Sequence, residues 1–188
     1  MDWLFKIIRI AGASCPGAAS LLQLQAELDG AEIKKKIDKL SDPISFLHED
    51  VQAAAKEIYK QLKSSDSLTL HFESAFYTKY SRPLAALDAK GFIKSQHAIG
   101  SPFAGGIYLC DPSFIMYLCA LAENENKMQR LIEHVDACPV GNPIDGKTLK
   151  PELDLPLQVI KAVFEIYALK GYGLVSQEIG SAYYVGKA

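Results

Sequence analysis

The chain has 188 residues, of which 49% are hydrophobic and 22% charged, so it is long and apolar enough to bury a core of its own. Its 20 Lys and Arg residues against 22 Asp and Glu residues give a formal net charge of −2, and only three of the basic residues are arginine. Because nucleic-acid-binding proteins neutralise phosphates with clustered Lys and Arg, this composition argues against a strong phosphate-binding surface.

The first 48 residues predict an N-terminal extension of short helices. The helical stretches are residues 3–10, 20–28 and 32–40, separated by Pro and Gly breaks. Lys6 and Arg9 interrupt the apolar run at the start of the chain, which therefore predicts a helix rather than a signal peptide. No run approaches the roughly 18 apolar residues of a membrane span, so no membrane contact is expected.

The next part of the chain predicts helix, strand, helix, helix and hairpin, in that order. These elements are a helix over 48–63, a strand over 67–72, a helix over 74–80, a helix from Pro83 to Gly91, and a hairpin built from 92–97 and 107–110. The first helix has the clearest pattern, with apolar residues at i, i+3, i+4, i+7, i+8 and i+11. Asp111 and Pro112 are typical first residues of a further helix.

The last part of the chain predicts a similar series. It has a helix over 126–135, a Gly/Pro-rich connection over 138–151, a long apolar helix over 156–170, and a second hairpin from 171–178 and 182–185. The long helix is apolar on nearly every side. Such a helix must be buried, either between two parts of the chain or under a partner.

The two hairpin regions repeat one another in residue type as well as in outline. Residues 90–93 (Lys-Gly-Phe-Ile) correspond to residues 170–172 (Lys-Gly-Tyr). Likewise, Ser95-Gln96 corresponds to Ser176-Gln177, and residues 107–109 correspond to residues 183–185. In both regions Gly supplies the left-handed turn that ends the helix, and the following apolar residues alternate back across the core.

Residues 87–93 and 167–172 resemble the end of the third helix of a winged-helix domain as it enters its hairpin. The resemblance covers about half of the chain and implies a mostly α fold with small β-hairpins, an α+β arrangement of two tandem winged-helix-like units. We expect an N-terminal helical extension over 1–48, a first unit over 49–122 and a second unit over 123–188.

No sequence motif for catalysis or nucleotide binding is present, so we expect a non-enzymatic protein without a cofactor or metal. The acids that follow His48 lie where a helix begins, a position that favours acids for structural reasons. The four cysteines, Cys15, Cys110, Cys119 and Cys138, contain no CxxC pair. They predict reduced, buried thiols in a cytoplasmic protein rather than a zinc site with His134.

The size, acidic balance and tandem winged-helix outline resemble the middle component of bacterial ABC-three-component defence systems such as Lamassu, and the winged-helix partners of chromosome-maintenance ATPases. The resemblance implies an accessory subunit in antiviral defence that docks onto a larger SMC-like ATPase. The residues expected to dock are Trp3, Phe5, Ile160, Phe164 and Tyr167.

The alternative is a DNA-binding transcriptional regulator that uses basic residues around the first wing. The residues that would contact nucleic acid are Lys79, Arg82, Lys90 and Lys94. Both predicted third helices offer few side chains of the kind that read base edges in the major groove. Protein binding is therefore the favoured function.

Overall fold

The first helix, α1 (Glu49–Ser65), forms because its apolar residues share one face. The predicted apolar residues are each at most 3% exposed: Val51, Ala54, Ala55, Ile58, Tyr59 and Leu62. The structure is a computed structural model that describes residues 49–97, 104–123, 125–176 and 182–187. The N-terminal extension predicted over residues 1–48 lies outside the described residues.

Two short helices and a three-stranded antiparallel sheet complete the first unit. They follow as β1 (Thr69–Leu70), α2 (Ser74–Lys79), α3 (Ser81–Ala89), β2 (Ile93–His97) and β3 (Ala104–Leu109). The central strand is β3, so the sheet order is β1-β3-β2. In this unit, every element predicted over residues 49–110 is present, although β1 is shorter than the predicted strand.

A further helix, α4 (Pro112–Ala122), follows the first sheet, as the Asp-Pro pair predicts. The Asp111 carboxylate accepts a hydrogen bond from the Phe114 N–H at 2.9 Å, and Pro112 occupies the first turn, where its missing N–H costs nothing. The start of α4 is therefore fixed by its cap.

The second unit has the same order of elements. They are α5 (Glu125–Asp136), β4 (Pro143–Asp145), α6 (Gly146–Leu153), α7 (Leu157–Leu169), β5 (Gly173–Val175) and β6 (Tyr183–Gly186). The sheet order is β4-β6-β5, which matches the first sheet position for position. The fold is thus mostly α with two small antiparallel sheets, as predicted.

The connection predicted over residues 138–151 is wrong, because this segment contains β4 and α6. Pro143 is tolerated since β4 is an edge strand, where one missing N–H breaks no ladder on the outer side. The Asp145 carboxylate accepts a hydrogen bond from the Lys147 N–H at 2.8 Å and begins α6. Both elements are too short to show a hydrophobic period in the sequence.

The strand registers correct the sequence alignment of the repeat by one residue. Ser95 opposes Ile107 in the first sheet, and Val175 opposes Tyr184 in the second. Ser95 is therefore equivalent to Val175, not to Ser176, and Ile107 is equivalent to Tyr184. A slip of one residue in a strand exchanges the inner and outer faces, so the corrected register decides which residues are comparable.

The two units are joined by both apolar and polar contacts. Helix α4 packs against α1 and α7, and the buried residues of both units form one cluster. Asp66, whose φ is 50°, accepts hydrogen bonds from the Gln158 N–H at the start of α7 (3.3 Å) and from Lys150 Nζ (2.6 Å). The boundary between residues 122 and 123 stays a prediction. Within the described ranges, no helix is both long and apolar enough to cross a membrane.

Candidate protein-docking surface

Each unit turns from its third helix into its sheet through the same glycine corner. Gly91 and Gly171 have φ angles of 75° and 80°, in the left-handed region that glycine adopts without strain. The Gly91 N–H donates to Asp88 O, and the next N–H donates to Leu87 O; the second unit repeats both bonds 80 residues later. This is the Schellman end of a helix, which satisfies its last carbonyl groups.

In the first unit this corner is covered by the protein itself. The Phe92 ring, which follows the glycine, stacks on the Phe114 ring of α4 with centroids 5.3 Å apart and planes 19° apart. Tyr117, one turn further along α4, stacks on Phe114 at 6.3 Å. The aromatic residue at the first corner is therefore half-buried beneath a helix.

In the second unit the equivalent corner is open. Tyr172, which corresponds to Phe92, is 56% exposed, and Leu169 at the end of α7 is 68% exposed. On the adjoining sheet, Leu174 is 63% and Tyr183 is 41% exposed. We call these four side chains the second corner. They are four of the six large hydrophobic residues that are exposed in the described part of the chain.

The outer faces of the two sheets differ at equivalent positions. Lys94 opposes Tyr108 on the first sheet, and Leu174 opposes Val185 at the same place on the second. The first sheet thus presents a charged side chain to solvent where the second presents leucine. Lysine on an edge strand is a common protection against unwanted pairing, and β5 lacks it.

The backbone of Tyr172 is held in position by hydrogen bonds, and its exposed ring lies beside one other ring. Its carbonyl oxygen accepts hydrogen bonds from the Tyr184 hydroxyl at 2.9 Å and from the Lys187 N–H at 2.8 Å. Its ring centroid lies 6.1 Å from that of Tyr167, whose hydroxyl donates to Asp136 at 2.7 Å. A residue whose backbone is already fixed loses less conformational entropy on binding, which favours a docking role.

Three of the residues predicted to dock are unsuitable for that role. Ile160 and Phe164 are fully buried and Tyr167 is 5% exposed, because α7 packs against α4 and against its own sheet. The apolar helix is buried between the two units, which is the first of the two alternatives that its sequence allows. Trp3 and Phe5 lie outside the described residues.

The four basic residues predicted for nucleic-acid contact are all exposed. They are Lys79, Arg82, Lys90 and Lys94. Lys79 Nζ lies 4.8 Å from the centre of the Tyr80 ring. Only Arg82 lies within α3, whereas Lys79 ends α2, Lys90 follows α3 and Lys94 lies in β2. Nucleic-acid contact remains a prediction.

A cluster of ion pairs joins the two units, and two of its members, Lys63 and Asp154, also line a cleft beside Lys150 and Pro156. Lys63 Nζ lies 2.6 Å from Glu123 Oε1, and Lys127 Nζ lies 2.9 Å from Glu123 Oε2 and 2.6 Å from Asp154. Burial would raise the pKa of Glu123, but the hydrogen bonds from the two lysines outweigh it and lower the pKa. These lysines also lower the pKa of Asp154.

Beside this cluster, a thiol and a phenol are kept in their neutral forms. The Tyr59 hydroxyl lies 3.2 Å from Glu123 Oε1 and 3.6 Å from Cys119 Sγ. Burial raises the pKa of Cys119 to about 12, and burial, followed by its contacts with Cys119 and Glu123, raises that of Tyr59. A buried thiol of this kind is a poor nucleophile at neutral pH.

The cysteine prediction is correct for only part of the set. Cys119 is buried, Cys138 is half-buried and Cys110 is exposed, and all three are free thiols, whereas Cys15 lies outside the described residues. Among the residues that the structure describes, no three His, Cys, Asp or Glu side chains lie together as a metal site would require.

Comparison with known protein families, curated proteins and solved structures finds no match to this chain. The second corner is instead identified by comparing the two units with each other. Sequence reasoning missed Leu169, Tyr172, Leu174 and Tyr183. An alignment of Lys94 with Leu174 would have indicated them, because the same outward-facing position then holds a charged residue in the first unit and an apolar residue in the second.

Proposed function

We propose that the protein is a non-enzymatic accessory subunit that docks onto a larger protein through the second corner. The observation that supports this is the difference between the units: α4 covers the first corner, and no helix among the described residues covers the second. Clustered exposed aromatic and aliphatic side chains are typical anchors of protein interfaces.

The partner class to test first is the one that the winged-helix resemblance suggests, an ATPase of the SMC or ABC type in a bacterial defence complex. We propose that the protein acts in the cytoplasm, where free thiols such as Cys110 persist. The candidate ATPase is the product of the neighbouring gene, if that gene encodes one.

The experiment measures the affinity of the full chain for that ATPase with Leu174→Lys, using Tyr108→Lys as the matched control. Lysine occupies the equivalent position in the first unit, so the variant should fold. Leu174→Lys should weaken binding by about tenfold or more, because it places a charge in an apolar contact. Tyr108→Lys, on the outer face of the first sheet, should bind like the original chain. Equal affinities for all three proteins, or no binding at all, would contradict the proposal.

A second candidate function is DNA binding by the first unit, favoured by the exposure of Lys79, Arg82, Lys90 and Lys94. For this function, we expect the protein to shift DNA in a gel, with binding that weakens as salt increases and is lost on charge reversal at Arg82 and Lys94. Binding that Leu174→Lys abolishes and these reversals leave intact would favour the first function instead.

A further inference from the structure

The outer face of the second sheet is apolar across all three of its strands. Val185 in the central strand is paired with Pro143 on one side and with Leu174 on the other. Pro143 and Leu174 are exposed and Val185 is half-buried. We call these three side chains the apolar row. The neighbouring residues of each strand point to the opposite face and pack on the core, so the second sheet has apolar residues on both faces, as a sheet between two layers has.

The equivalent row of the first sheet is polar. It consists of Thr69, Tyr108 and Lys94, which carry a hydroxyl, a phenol and an ammonium group. If two copies of the first sheet were packed face to face with these rows superposed, two Lys94 ammonium groups would oppose each other. Like charges repel, so Lys94 protects the first sheet from contact with its own copy. Leu174 removes this protection from the second sheet.

Charged residues of opposite sign lie on the two sides of the apolar row. Lys187 follows Val185 by two residues and is exposed, and its N–H continues the ladder by donating to Tyr172 O at 2.8 Å. Asp145 follows Pro143 by two residues, opposes Tyr183 and is half-buried. Because side chains alternate along a strand, both charged residues share the outer face with the apolar row. They lie on opposite sides of the row because β4 and β6 are antiparallel.

This arrangement is complementary to itself. A two-fold axis that runs along the apolar row, perpendicular to the strands, places each residue of the row opposite its own copy and reverses the strand direction. Lys187 of one copy then lies at the level of Asp145 of the other copy, one strand away, and the same contact occurs twice. Packed sheets are about 10 Å apart, a separation that side chains from both faces fill.

We propose that two copies of this chain form a symmetric dimer by packing the outer faces of their second sheets together. Leu174 then contacts Leu174 of the second copy, and Lys187 pairs with Asp145 of the second copy. The contact is smaller than a standard interface of roughly 20–30 residues a side, so we expect a Kd of about 10–100 µM. The dimer does not rest on the proposed function. If both hold, the larger protein displaces the second copy from Leu174.

Sedimentation equilibrium of the full chain, from about 5 to about 500 µM, measures this dimer across the expected range of Kd. Leu174→Lys should weaken the dimer by about tenfold or more, because two ammonium groups then oppose each other in an apolar contact. Tyr108→Lys makes the same kind of change in the equivalent row of the first sheet and is the matched control. It should dimerise like the original chain.

A second pair of variants tests which residues face each other. Lys187→Glu should weaken the dimer by about fivefold to tenfold, because it places a glutamate near Asp145 of the second copy at two sites. In the presence of Asp145→Asn the same change should cost about twofold or less, since the opposing charge is gone. Asn caps a helix as well as Asp does, so α6 keeps its start, and circular dichroism should confirm that every variant folds.

A chain that stays monomeric at the highest concentration overturns the proposal, and so does a dimer that Leu174→Lys leaves intact. An equal cost of Lys187→Glu with and without Asp145→Asn also overturns it. The candidate ATPase separates the dimer from the proposed function. If the chain is monomeric and the ATPase binds it but not Leu174→Lys, the dimer fails and the docking function stands. If Lys187 and Asp145 are coupled in a dimer and no ATPase binds, the dimer stands and the docking function fails.

Discussion

Leu174 and Lys94 occupy the same position of the two repeated units, yet one is apolar and the other charged. Both side chains are exposed, so neither choice is needed to fill a core. An exposed leucine on a strand without a second neighbour is a risk for aggregation unless something covers it. The residue difference is therefore not a packing requirement, and it is consistent with the docking surface that we propose.

A second residue, Glu123, makes stability depend on pH. Its carboxylate is 14% exposed and is paired with Lys63 and Lys127. Since its folded-state pKa lies below its usual value, the pairs contribute stability above the unfolded pKa, and this is lost as pH falls through the folded pKa. We expect the free energy of unfolding in urea to decrease between about pH 5 and about pH 3.

Glu123→Gln is the control for this prediction, because it removes the charge and keeps an oxygen near the Tyr59 hydroxyl. The variant should be less stable at pH 7 and should lose less stability on acidification. If the stability curves of the two proteins run parallel from neutral to acidic pH, Glu123 does not carry the effect.

At the scale of elements, the glycine corners set the direction of each sheet relative to its third helix. Nothing lies within 4 Å of a Cβ added at Gly91 or Gly171, so a side chain there would have room. Alanine at either position should still lower the free energy of unfolding by about 1–2 kcal/mol, because its φ would remain positive. Chemical denaturation measures both variants.

Gly173→Ala provides the contrast to these two substitutions. Its Cβ would lie 2.5 Å from the Tyr184 ring, so it should cost more than either corner alanine. If alanine at Gly171 and at Gly173 lowered the free energy of unfolding by similar amounts, the positive φ and the steric overlap with Tyr184 would not be separate causes.

The sequence predicts most elements because α1, α4, α5 and α7 have clear apolar patterns, and because Asp111 marks the start of α4 and Gly91 the end of α3. It fails for β4 and α6, where three and eight residues are too few to establish a period. It also fails for docking: Ile160 and Phe164 are apolar in the same way as Leu174, and only the packing of α4 on α7 separates buried from exposed. Whether these residues are buried depends on elements that are distant in sequence, so a local residue pattern cannot predict it.

At the scale of the whole molecule, the two units are held together by the packing of α4 between α1 and α7 and by the contacts of Asp66 and Glu123. The polar contacts of this junction lie near the start of α7, whereas the second corner lies at its other end. The corner can therefore receive another protein without separating the units. We propose that the second unit, not the first, is the side of the molecule that docks.

Hydrogen–deuterium exchange of the full chain with and without the candidate ATPase tests this claim most directly. Binding should protect the backbone amides of residues 169–187, at the end of α7 and in β5 and β6, and leave residues 89–110 of the first corner and wing unchanged. Protection confined to residues 89–110, or no protection in either region when the complex is formed, would contradict the account.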